Sequence, residues 1–301
     1  MNITVGVLAL QGAFAEHIHL LTQATKHLPQ GLTWHFVEVR TPDQLAECDA
    51  LILPGGESTT MSLVAARSGM LEPLRQFVKV HRRPTWGTCA GLILLAESAN
   101  RTKKGGQDLI GGLDVRVNRN HFGRQTESFT ADLDLPFLSG SSASKTEVDT
   151  GTKPFRSVFI RAPIVERVLP HQPGAQDSES RISDTVVAPS RQPAAEDAAA
   201  QKAVAAQVEV MARLPGRATG LETGQTAREA GEEGDIVAVR QGNVFGTSFH
   251  PELTGDERIH VWWLKRVGEM VAERRGAVWG RCRGEGYGYE EGESIWNWRP
   301  F

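Results

Sequence analysis

Pro84-Thr85-Trp86-Gly87-Thr88-Cys89-Ala90-Gly91-Leu92-Ile93-Leu94-Leu95 joins a short β-prone run to a helical one through a turn of small residues. A strand over 84–87 and a helix over 92–99, with Gly-x-Cys-x-Gly between them, has the form of a nucleophile elbow. The glycines let neighbouring backbone approach closely, so the Cys89 thiol stands above the end of a sheet. The start of the following helix favours thiolate over thiol. The Ala90 N–H is placed to donate to a developing oxyanion. A lone cysteine is more often a buried structural residue; the strand–turn–helix frame is what argues for a nucleophile.

Outward from this turn, short apolar runs alternate with helical patterns. Strands are expected over 3–9, 33–39 and 50–53. Helices are expected over 13–27, after Pro54-Gly55-Gly56, over 70–81, and briefly after the cap Thr41 with Pro42 at the first position. This alternation predicts an α/β three-layer sandwich with a mostly parallel central sheet. Beyond residue 112 extended segments follow at 113–118, 126–131, 157–160, 236–240 and 244–249. A last amphipathic helix is expected over 256–274.

Composition narrows the function classes. The 301 residues are 40% hydrophobic and 23% charged, with 33 Lys+Arg against 36 Asp+Glu and a net charge of −3. That balance gives no electrostatic reason to propose a nucleic-acid or anionic membrane surface. No apolar run approaches the roughly 18 residues of a spanning helix, and the strand-like N-terminus reads as neither secretory signal nor presequence. Cys48, Cys89 and Cys282 are odd in number and far apart, which fits a reducing compartment such as the cytoplasm.

No Phe, Trp or Tyr occurs between Phe159 and Phe245. Residues 171–234, rich in Ala, Gln, Glu, Gly and Pro, are therefore expected to be mostly a disordered insertion, with a transient helix over 194–213. Ser139 to Lys145 reads as a Ser-rich loop. The expected organisation is one domain over 1–275, interrupted by 171–234, and a Gly/aromatic tail over 276–301.

Two further motifs bear on chemistry. In Phe249-His250-Pro251-Glu252, residues two apart on an extended chain point to one side, and Pro251 biases His250 toward that conformation. Glu252 is thus placed to orient the His250 imidazole and stabilise its protonated form, leaving the other ring nitrogen for a thiol. Leu53-Pro54-Gly55-Gly56-Glu57-Ser58-Thr59-Thr60 leaves backbone N–H groups free for an anion or carbonyl oxygen, and Ser58 is a candidate helix cap. It lacks the Gly-Lys-Ser/Thr ending of a P-loop. His17 and His19 do not share a helical face, so a metal pair there is not expected; neither His121 nor His171 has partners at ligand spacing, and no cofactor is called for.

These motifs together resemble the Cys-His-Glu triad of class I glutamine amidotransferases. More narrowly, Gly6 to Gly12, Leu53 to Thr60, Asn120-His121-Phe122-Gly123-Arg124-Gln125, Phe159-Ile160-Arg161-Ala162-Pro163 and Thr247 to Thr254 resemble the glutaminase subunit of pyridoxal 5'-phosphate synthase, the PdxT/SNO family. The resemblance covers about 3–163 and 235–273. It implies hydrolysis of L-glutamine to glutamate and ammonia, the ammonia passing to a separate synthase subunit of PdxS/SNZ type in vitamin B6 biosynthesis. By motif position Cys89 is the nucleophile, with His250 and Glu252 completing the triad and Ala90 and Gly56 forming the oxyanion hole. Gly56, Glu57, Ser58, Arg119, Ile160 and Arg161 hold the glutamine, the two arginines being candidates for its carboxylate. Compact members have a short connection where this chain has its aromatic-free stretch, and they lack the tail. The rivals are another class I amidotransferase, a glutamyl hydrolase, or a non-catalytic assembly subunit.

Overall fold

The computed structural model describes residues 1–101, 107–119, 128–139, 153–215 and 234–276. The first half runs β1 (Asn2–Leu8), α1 (Phe14–Ala24), β2 (Thr33–Val39), α2 (Pro42–Ala46), β3 (Ala50–Leu53), α3 (Ser58–Arg67), α4 (Leu71–Arg75), β4 (Thr85–Thr88), α5 (Ala90–Leu95), β5 (Ala96–Asn100) and β6 (Leu113–Asn118). The second half runs β7 (Ser128–Leu133), α6 (Pro136–Ser139), β8 (Phe155–Ile160), β9 (Ile164–Val168), α7 (Asp177–Ser180), β10 (Thr185–Val187), α8 (Ala198–Val204), β11 (Val208–Leu214), β12 (Asp235–Gln241), β13 (Val244–Thr247) and α9 (Arg258–Arg274).

The main sheet has the order β10-β5-β6-β9-β12-β13-β4-β3-β1-β2, with β11 added beside β12. Strands β2, β1, β3, β4 and β13 pair in parallel and form the part of the sheet that carries the site. Antiparallel pairings of β9, β11 and β12 make the sheet mixed. Along β3 the side chains alternate between the two faces. Ala50 and Ile52 join a core with Leu21, Trp86, Phe245 and Leu264, whereas Leu51 and Leu53 join one with Met61, Leu74 and Leu92. β3 is thus apolar on both faces, as a strand inside a sheet covered by helices on both sides requires. At Thr41 the side chain accepts from Gln44 N and the Gln44 side chain accepts from the cap N–H, which starts α2 at Pro42 as the sequence indicates.

Three expectations are corrected. The helix expected over 92–99 ends at Leu95, and Ala96–Asn100 continues as β5, because Ala96, Ser98 and Ala99 pair with β6. The helix expected over 194–213 is α8 alone; Val208–Leu214 pairs with β12 instead. Residues 171–215 are also not disordered. Their lack of aromatics is offset by small apolar residues (Ala188, Ala200, Ala212 and Leu214 are buried) and by buried polar anchors. Glu179 accepts from Ser98 and Arg116, Lys79 donates to Pro189 O at 2.8 Å while paired with Glu97, and His171 and Gln241 meet on Asp114. Residues 140–145 of the Ser-rich loop, residues 216–233, the tail beyond Gly276 and the Asn120–Gln125 motif lie outside the described residues. Among the described residues no helix is long and apolar enough to cross a membrane.

Candidate active site

Strands β4 and β13 lie side by side in parallel, Thr88 facing Thr247, so the residues that follow them emerge together at the carboxyl end of the sheet. Neighbouring strands are about 4.8 Å apart, and this adjacency alone brings Cys89 near Ser248-Phe249-His250. The Cys89 N–H donates to Thr247 O at 2.8 Å, and Cys89 adopts φ 46°, ψ −99°, a left-handed, sharply turned backbone. The turn is tight enough to depend on Gly91, where a Cβ would sit 2.0 Å from the Leu53 carbonyl oxygen. The expected elbow is therefore present, with Ala90 as the first residue of α5.

His250 is 7% exposed, and its N–H is anchored on Val158 O at 2.8 Å. Its Nδ1 lies 2.7 Å from Glu252 Oε1, and the imidazole lines the same cavity as the Cys89 thiol. Burial opposes a charge on this ring, but Cys89 and Glu252 beside it outweigh burial and push the pKa up to about 10. Burial likewise opposes charge on Glu252, yet His17 and His250 together hold its carboxyl below the usual range. The ring has room only because residue 55 is glycine: a Cβ there would lie 2.2 Å from His250 Cε1.

A cavity of about 440 Å³ opens over Cys89 and His250 and gathers Gly56, Glu57, Ser58, Arg119, Ile160 and Arg161 around them. Cys89 Sγ faces Ile160 O at 3.9 Å, and Arg161, the next residue, turns through φ 44° at the exposed rim. Arg119 donates to Ser58 Oγ at 2.9 Å and Thr59 Oγ1 at 3.0 Å; burial lowers its pKa, while Glu57 opposes the shift. The cap of α3 is Glu57 rather than Ser58. The Glu57 carboxylate accepts from Thr59 N, Thr60 N and Thr60 Oγ1, whereas Ser58 is already the first helical residue, its hydroxyl donating to Gln107 Oε1. A larger cavity of about 510 Å³ lies around Pro84 and Arg274, beyond the amino end of β4, and contains none of the residues expected at the site.

Several participants are given no role by the sequence, Gln11 among them although it lies within the Gly6 to Gly12 stretch. Gln11 accepts the Glu57 N–H at 2.9 Å through Oε1. His17 is fully buried, with Nε2 at 3.4 Å from Glu252 Oε2 and 3.3 Å from Thr88 Oγ1, and Nδ1 at 3.0 Å from His260 Nε2. Its helical spacing does carry a signal: His17, Leu20, Leu21 and Ala24 form the buried stripe of α1.

A cysteine on a strand–helix elbow, paired with a histidine that a glutamate steadies at the edge of a parallel sheet, defines a glutamine amidotransferase of the class I type. The chain belongs to the SNO glutamine amidotransferase family, which it matches over residues 7–195 and 205–273. That match runs through most of the stretch expected to be an insertion. Among similar proteins is the probable pyridoxal 5'-phosphate synthase subunit PDX2 of Arabidopsis thaliana, 40% identical, covering 89% of this chain and 87% of the relative. The pyridoxal 5'-phosphate synthase subunit PdxT of Herpetosiphon aurantiacus is 36% identical, covering 87% and 99%. The PdxT subunit of Methanosarcina mazei is 35% identical, covering 87% and 98%. A crystal structure of a glutamine amidotransferase superposes with a TM-score of 0.56 at 32% identity, covering 88% of this chain and 98% of the other.

Proposed function

We propose that this member of the family is the glutaminase subunit of a pyridoxal 5'-phosphate synthase and hydrolyses L-glutamine through Cys89, His250 and Glu252. The ammonia released passes to a synthase subunit of PdxS/SNZ type. The single observation that carries the assignment is the buried imidazole of His250, hydrogen-bonded to Glu252 and sharing one cavity with the Cys89 thiol on its strand–helix elbow.

In this reading the Cys89 thiolate attacks the side-chain amide carbon. Its oxygen develops charge against the N–H groups of Ala90 and Gly56. His250, as imidazolium, gives its proton to the leaving nitrogen, and ammonia departs from a thioester. The same ring then takes a proton from water as that water attacks the thioester, and returns it to the sulfur as glutamate leaves. Glu252 stays ionised throughout and stabilises the imidazolium. Arg119, with Ser58, and Arg161 at the rim supply the cations and donors for the substrate's α-carboxylate; Glu57, Ile160 and Gly56 line the remainder of the cavity.

Supporting this reading are the family membership and the placement of eight expected residues around one cavity. The free state of Cys48 and Cys89 fits a reducing, cytoplasmic setting. The test is ammonia release by wild type and Cys89→Ala, each with the synthase subunit: wild type turns over and Cys89→Ala does not, while both bind the partner. Turnover by Cys89→Ala at the wild-type rate would overturn the assignment.

A further inference from the structure

Behind the glutamate, on the side away from His250, lies a buried pair of histidines that the reaction as described does not use. His17 comes from α1 and His260 from α9, and both are 0% exposed, packed against Trp86. Burial pushes each imidazole down to about 3, Glu252 opposing this at His17, so both rings are neutral at working pH. Nε2 of His17 faces two oxygens, Glu252 Oε2 at 3.4 Å, which can only accept, and Thr88 Oγ1 at 3.3 Å, which can do either. The tautomer with its hydrogen on Nε2 is the one that gives Glu252 a donor. Nδ1 of His17 is then an acceptor and takes the Nε2–H of His260 at 3.0 Å. His260 Nδ1, the end of the chain of bonds, has no hydrogen-bond partner among the described residues.

Glu252 needs such a neighbour. One carboxylate oxygen is engaged by His250 at 2.7 Å, while Oε2 makes no hydrogen bond among the described residues. A buried carboxylate with one bare oxygen tends to take up a proton, and a protonated Glu252 no longer stabilises an imidazolium. His17 Nε2 lies 3.4 Å from that oxygen. Around the pair, β4 and its turn contribute Thr88 and Cys89, the segment after β13 contributes His250, and α9 contributes His260.

We propose that His17 is a positioning residue for glutamine hydrolysis: its neutral imidazole, backed by His260, holds an N–H against the free oxygen of Glu252 and keeps that carboxylate ionised and aimed at His250. The inference rests on the Cys89–His250–Glu252 reading. It assigns His17 no contact with substrate.

The test compares wild type, His17→Leu, His17→Gln and His17→Asn, each with the synthase subunit, for kcat, KM and the pH dependence of glutamine hydrolysis. In His17→Leu the donor is gone and the Glu252 carboxyl rises. The acid limb of the rate profile moves to higher pH and kcat falls about tenfold, a fraction of the ~10²–10⁴ that a positioned acid–base contributes, with little change in KM. His17→Gln, whose amide nitrogen reaches the Nε2 position, recovers most of the loss and returns the acid limb. His17→Asn, which reaches only the Nδ1 position, does not. If His17→Leu fails to fold, the Gln–Asn contrast carries the same distinction. An acid limb unmoved in every folded variant, or Gln and Asn impaired alike, overturns the proposal. Cys89→Ala, run alongside, separates the two levels: its retained turnover would sink the triad, whereas its inactivity with an unmoved acid limb in the His17 variants sinks only the role of His17.

Discussion

His250 Nδ1 lies 2.7 Å from Glu252 Oε1, with both side chains shut away from solvent by the strands and the α1 helix. Two residues separated by one proline thus form an ion pair whose charge state is tied to the thiol beside it. Replacing Glu252 with Gln keeps the volume and removes the charge that favours imidazolium. The expected result is a fall in kcat of about 10²–10⁴-fold with the fold retained, checked by steady-state kinetics alongside circular dichroism.

The same pair makes stability pH-dependent. His250 has a folded pKa of about 10 against an ordinary 6.5, burial being outweighed by Cys89 and Glu252. A raised histidine pKa contributes stability that is fully present below pH 6.5 and is lost as pH rises through about 10. Thermal unfolding between these limits should show a decline in wild type that is flattened in His250→Gln. Parallel declines in the two proteins would contradict the coupling.

Two glycines near the site should fail in different ways when changed to Ala. At position 55 the new methyl meets the His250 ring at 2.2 Å, a side chain that can swing, so activity drops more than stability. At position 91 it meets the Leu53 carbonyl at 2.0 Å, backbone within the sheet. Gly91→Ala is therefore expected to lose roughly 1–3 kcal/mol or more of stability. Denaturant melts and kcat measured on both variants separate the cases.

Arg119 bridges Ser58 and Thr59 at the cavity wall. With Arg119→Ala the substrate carboxylate loses a charge-assisted contact of about 1.5–3 kcal/mol. KM for glutamine should rise roughly tenfold or more while kcat changes less; the reverse pattern would remove Arg119 from the binding role.

The aromatic-free stretch is held to the body by charge. Glu179 is buried between Arg116, Ser98 and Arg167, its carboxyl held low by those bonds against the effect of burial. Glu179→Ala strands Arg116, which keeps Glu166 at 2.9 Å, and should destabilise by roughly 3 kcal/mol, the low end for breaking a buried pair. Deletion of 172–200 removes β10 and this anchor together and should cost folding, read as loss of a cooperative melt.

The parallel strands and the elbow were legible because they obey local rules: an unbroken apolar run at β3, the cap Thr41 followed by Pro42, small residues around Cys89. His250 and Glu252 were legible as a pair, but not through the extended chain expected of them: Pro251–Leu253 forms a 3-10 turn after His250, and that turn brings Glu252 to the ring. The errors lie where non-local pairing decides. Ala96–Asn100 carries no strand signature until β6 lies beside it, and 208–214 mimics a helix until β12 does. The 171–215 segment looked coreless because its anchors are single charged residues meeting partners far along the chain. The helical stripe of α1 marks His17 as buried, but its place beside Glu252 depends on α1 crossing α9.

The catalytic assignment meets its most direct test in covalent labelling with a glutamine-like electrophile, followed by mass spectrometry of the peptides. Modification confined to Cys89, blocked by glutamine and lost in His250→Gln, is the predicted outcome. Label on Cys48 or Cys282 instead, or none on Cys89 in a protein that still releases ammonia, would contradict it.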